Sequence, residues 1–140
     1  MTEQELQQYI RQRYPEENAR CEWKEMKNLK NSFNGKEGND VLSYVSAIAN
    51  MEGGELVIGI KDKTLDIVGT DLSALTFNGF MATPLTATFK LVEQCVNLSS
   101  EGLRIEEFVT DDSNKTVWII HIPKHKPRRP VYAHRKAWQR

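Results

Sequence analysis

Three carboxylates and a lysine are the side chains of this chain best suited to chemistry. Glu17 and Glu22 are followed closely by Lys24, and Asp62 comes after a further helix-like and strand-like stretch. Carboxylate oxygens hold a hard divalent cation, and a neighbouring lysine can orient a water or stabilise the pentacovalent phosphate of phosphodiester cleavage. That is the residue set a divalent-metal-dependent nuclease needs, with Mg2+ or Mn2+ on Glu17, Glu22 and Asp62. A Glu-x-Lys on a strand also serves as an ordinary solvated ion pair, and spacing alone leaves both readings open.

The second constellation is cationic. Residues 113–140 hold 8 of the 19 lysines and arginines and none of the 19 acidic residues, leaving 11 bases against 19 acids before them, so the net charge of zero hides a split. In the run Lys124-His125-Lys126-Pro127-Arg128-Arg129-Pro130-Val131-Tyr132, prolines keep the backbone extended between cations. Lys124, Lys126, Arg128, Arg129 and Arg135 could displace counterions from phosphates, with Lys24 lining the same surface and Tyr132 or Trp138 stacking on an unpaired base. The same cations could instead pair with the acidic body.

Other chemistries lack their residues. The one Gly-Lys, Gly35-Lys36, is followed by Glu and has no glycine five residues earlier, so there is no P-loop and ATP hydrolysis is not expected. Cys21 and Cys95 sit in apolar segments without CxxC spacing and read as buried, reduced thiols. His121, His125 and His134 have no cysteines nearby to complete a zinc site, and no GxSxG supports acyl transfer. No apolar run is long enough to span a bilayer and the N-terminus is not a signal peptide, so the expected compartment is the cytoplasm.

The elements that must position these residues follow from periodicity. Leu6, Tyr9 and Ile10 predict a helix over 3–13, closed by Tyr14-Pro15. Residues 20–26 predict a strand with Cys21 and Trp23 on one face and Glu22 and Lys24 on the other. Asn39 or Asp40 caps a helix with Val41, Leu42, Val45, Ile48 and Ala49 on its apolar face. Gly53-Gly54 stops it, by supplying positive φ, before a strand over 55–60. After a turn at 62–66, Ile67-Val68 forms a short continuation, and 70–83 is irregular. Thr83-Pro84 opens a third helix with Leu85, Phe89, Val92 and Val96 at helical spacing, and strands over 103–109 and 116–122 flank a polar hairpin loop. A last hairpin falls at 131–138. The expected fold is α+β: one domain, a mixed β-sheet with about three helices packed against it.

Taken in order, these pieces resemble the Schlafen AlbA-type DNA-binding domain. The resemblance rests on Glu17-x4-Glu22-Trp23-Lys24, on Val45-Ser46-Ala47-Ile48-Ala49-Asn50-x2-Gly53-Gly54-x-Leu56-Val57-Ile58-Gly59-Ile60-x-Asp62, and on Ile67-Val68-Gly69 and Pro130-Val131-Tyr132 with Arg140. It covers residues 16–140, with 1–15 as a leading helix. It implies a nucleic-acid-binding module, for DNA or RNA, in the N-terminal part of a longer bacterial transcriptional regulator whose C-terminal domain lies beyond this sequence. From animal relatives it implies an alternative, a metal-dependent endoribonuclease whose three carboxylates fall on Glu17, Glu22 and Asp62. A third alternative is a homodimerisation module. Lys61 stands where the family frequently has an acid, which would weaken a cation site there, and the chain stops at Arg140 where the family continues with a glycine and a closing strand.

Overall fold

The structure, a computed structural model, describes residues 1–14, 21–24, 37–38, 40–61, 64–70, 76–77, 80–81 and 83–139. Helix α1 (Glu3–Arg13) begins at a capping box in which Thr2 and Glu5 satisfy each other's backbone N–H groups, and ends at Tyr14. Strand β1 (Cys21–Lys24) precedes α2 (Val41–Asn50), whose N-cap is Asp40, and β2 (Gly54–Ile58). A short antiparallel pair, β3 (Thr76–Phe77) with β4 (Phe80–Met81), lies in the stretch expected to be irregular. Helix α3 (Pro84–Gln94) is capped by Thr83, and β5 (Arg104–Val109) and β6 (Thr116–Ile122) form the expected hairpin.

The main sheet has the order β1-β2-β6-β5, with β1 and β2 parallel and the other neighbours antiparallel. Parallel neighbours require a crossover, and α2 supplies it. Period-two alternation on the central strands divides the core into two layers. Val57, Val117 and Ile119 face α1, joining Leu6, Ile10, Cys21 and Trp23. Leu56, Ile58, Trp118, Ile120 and Ile122 face α2 and α3, joining Leu42, Val45, Ile48 and Leu91. The chain is therefore an α+β domain with its sheet between α1 and the α2/α3 pair.

One face was misassigned by periodicity. The stripe Leu85, Phe89, Val92 and Val96 points outward, with Leu85 81% and Phe89 68% exposed. Ala87, Leu91 and Cys95 are buried instead. Both stripes have helical spacing. Small residues at 87 and 95 let the helix approach the sheet closely, and only the sheet's contour selects them.

Candidate nucleic-acid interface

The segment after β6 is not a free arm. It runs back along α2 and is pinned there at three levels. At the helix C-terminus, the His125 backbone N–H donates to the Ala49 carbonyl at 2.9 Å, and its Nδ1 lies 3.0 Å from the same oxygen. At the same end, the side chain of Asn50, the last residue of α2, donates to the Val131 and Trp138 carbonyls at 2.9 and 2.8 Å, and its Oδ1 accepts from the Val131 N–H at 2.7 Å. Ser46, one helical turn earlier and so on the same face, donates to the Val131 carbonyl at 2.7 Å and accepts from the Trp138 N–H at 3.2 Å. At the helix N-terminus, His134 Nε2 is 2.6 Å from Oδ2 of buried Asp40, whose Oδ1 caps the helix through the Ser43 N–H.

Sequence reasoning did not find Asn50 as the pin. The available signal was the Ser46/Asn50 pair, two polar side chains at i,i+4 in a largely apolar helix, which must find partners when covered. Gly53 acts in the same place. With φ +73° it ends α2 by donating to the Ile48 carbonyl, and a Cβ there would sit 2.7 Å from the Lys124 N and 2.8 Å from the Ile122 O. The close approach that this glycine permits is to the chain's own backbone at the root of the basic segment.

Pinning turns the cations outward. The segment makes two tight turns, and the expected hairpin shrinks to the second of them: Lys126 bridges Arg129, Ala133 bridges Lys136, and Tyr132 bridges Val96. Lys124 is 3.3 Å from Glu52, and Lys136 is 2.7 Å from Glu37. Lys126, Arg128, Arg129 and Arg135 are exposed and form no ion pair among the described residues. Tyr132 is half-buried. None of the three histidines is paired with a cysteine; His121 lies between Glu106 and Glu55 on the sheet.

The carboxylate site is described only in part. Glu17 and Asp62 lie outside the described residues. Glu22 is buried on β1, on the face opposite Cys21 and Trp23 as the alternation predicted, and lines an open cleft with Gly38, Ser43, Tyr44, Ala47 and Trp138. Lys24 Nζ is 3.2 Å from Glu22 Oε1 and 5.2 Å from the centre of the Tyr44 ring. Burial alone would push the Lys24 ammonium down, but Tyr44 and the Glu22 carboxylate outweigh it and hold it above the ordinary lysine value. No three histidine, cysteine or acidic residues converge as a cation site among the described residues. Of the three carboxylates, Glu22 is the one among the described residues. It offers a carboxylate in an open cleft, with one oxygen already facing the Lys24 ammonium.

The family model for Schlafen, AlbA_2 matches residues 17–140. The chain belongs to that family. Its matched span runs over the whole sheet, α2 with Asn50 and the pinned segment. Among solved structures, this Schlafen AlbA_2 domain is similar to the N-terminal domain of a RecG-related protein from Nitrosomonas europaea, determined by NMR in solution. The two are 21% identical with a TM-score of 0.46, over 100% of this chain and 88% of that one. No curated protein matches this chain. No helix among the described residues is long and apolar enough to cross a membrane.

Proposed function

We propose that this Schlafen AlbA_2 domain binds nucleic acid through the segment pinned along α2. The observation that carries the reading is the contrast within that segment. Its polar groups facing α2 are hydrogen-bonded to the helix, while Lys126, Arg128, Arg129 and Arg135 are left exposed without ion-pair partners among the described residues. Lys124, shared with Glu52, and Tyr132 lie on the same stretch, and Lys24 adds a cation beside Glu22 and Tyr44, whose cleft Trp138 of the segment also lines. Contact with about four phosphates gives a log–log salt slope near −3 to −4. Anisotropy titrations of labelled DNA and RNA at several salt concentrations test this; absence of binding at low salt ends the reading. We further read the domain as the N-terminal part of a longer bacterial, cytoplasmic transcriptional regulator, with residues 1–15 as a leading helix. Footprinting of the full-length protein on its own promoter region tests that role.

A second reading, metal-dependent RNA cleavage, is favoured by the burial of Glu22 in an open cleft beside Lys24. Incubation of structured RNA with Mn2+ should then give cleavage that Glu22→Ala lowers by orders of magnitude. Cleavage that survives this substitution excludes the site. Self-association is a third reading, through the outward stripe of α3 that includes Leu85 and Phe89. A monomer by light scattering at high concentration removes it.

A further inference from the structure

Six described residues other than glycine adopt positive φ: Leu65, Asn97, Asn114, Arg128, His134 and Arg135. Left-handed backbone is unfavourable for a residue with a Cβ, so each needs a local reason. Asn97 and Asn114 are of the type that tolerates it. Leu65 is buried among core residues, and His134 uses its position to reach Asp40 at 2.6 Å. Arg128 and Arg135 are left. Both are exposed, and neither side chain has an ion pair or hydrogen-bond partner within the described fold.

Each occupies a turn position that favours glycine or asparagine. In Lys126-Pro127-Arg128-Arg129 the Arg129 N–H donates to the Lys126 carbonyl at 3.0 Å, and Arg128 follows the proline at φ +60°. That is the place where a proline-led type II turn prefers Gly or Asn. In Ala133-His134-Arg135-Lys136 the outer residues exchange both backbone hydrogen bonds, at 2.9 and 3.0 Å, and the central pair has φ +53° and +65°. Two-residue hairpins of this kind favour Asn-Gly.

We infer that Arg128 and Arg135 are the principal phosphodiester contacts of this domain, held at turn tips against the backbone's own preference. The inference rests on the nucleic-acid reading above and assigns it two residues. The geometry anchors the two turns at opposite ends of α2. The first turn follows the anchor of His125 at the C-terminal end of α2, and the second contains the anchor of His134 at its N-cap. A helix of 10 residues sets those anchors about 15 Å apart.

The test separates strain from binding. Arg128→Gly and Arg135→Gly should each raise the melting temperature by roughly 2–6 °C, because glycine relieves the left-handed position. Each should also weaken binding of labelled DNA duplex and labelled RNA hairpin about three- to tenfold, and shrink the salt slope by about 0.7–0.9. Lys136→Ala, which removes a cation already paired with Glu37, should change affinity less than twofold. Comparing the DNA and RNA probes shows which backbone the arginines meet. Wild-type protein that binds neither probe at low salt sinks the nucleic-acid reading, and this inference with it. Wild-type binding that both glycine variants retain, or glycine variants that melt below wild type, overturns this inference alone.

Discussion

Lys24 and Arg128 are both cations beside water, yet the fold handles them in opposite ways. Lys24 is largely covered on β1, pairs with Glu22 and lies against Tyr44, so its charge is absorbed by its neighbours. Arg128 stands on an exposed turn without an ion pair among the described residues, on a backbone conformation that its side chain does not favour. The first arrangement stabilises the domain and shapes a cleft; the second keeps a charge available to a partner. A count of basic residues cannot make this distinction. Whether a cation contributes to binding depends on what already neutralises it.

The comparison breaks most completely if the segment comes off α2. Asn50→Ala removes the side-chain hydrogen bonds to Ser46, Val131 and Trp138, and takes from the Val131 N–H and the Trp138 carbonyl the partner that Asn50 gave them. It should lower stability by about 2–4 kcal/mol in urea denaturation, and with it binding, because the turns lose their positions. Retention of wild-type stability would show that the pinning contributes little.

A second test sharpens the contrast without unfolding anything. Replacing Lys126, Arg128, Arg129 and Arg135 together with glutamine should reduce affinity at low salt by about 100-fold or more and flatten the salt slope towards zero. Lys24→Gln should change binding less than threefold while lowering the urea midpoint. The reverse pattern would place the binding surface at the β1 cleft.

The smallest expected effect is a pH dependence that belongs to Lys24 alone. Its folded-state pKa is raised above the ordinary 10.5 of the unfolded chain, so the stability from its charged form is complete below that pH. That stability is lost as pH rises through the raised folded value. The difference in urea midpoint between wild type and Lys24→Met should be constant from pH 7 to about 10 and shrink above about 10.5. A difference that holds unchanged at pH 12 would mean that Lys24 acts through packing of its alkyl chain rather than its charge.

Local rules made much of the framework legible. Asp40, and Thr83 with Pro84, fixed two helix starts by chemistry confined to a few residues, and the periodicity of Leu6, Tyr9 and Ile10 gave the third helix. The period-two alternation correctly sent Cys21 and Trp23 to one side of β1 and Glu22 and Lys24 to the other. Less local features were harder. The stripe of α3 could not be chosen between two sets of equal spacing, and Tyr132 was expected in a terminal hairpin, whereas it bridges Val96 just after α3. Of the candidate carboxylates, Glu17 and Asp62 lie outside the described residues, so only Glu22 gained a described setting.

By itself the sequence determined the helix caps, the strand faces, the family and the concentration of positive charge after residue 112, because each depends on residue type at short separations. Only the tertiary structure decided which of those charges are spent within the fold. Asn50 lies 81 residues from Val131 in the chain and Asp40 lies 94 from His134, yet these pairs lay the basic segment along α2. Contacts at that separation leave no periodic trace. They arise when helix and sheet have packed, and the packed surface then dictates which side chains turn inward.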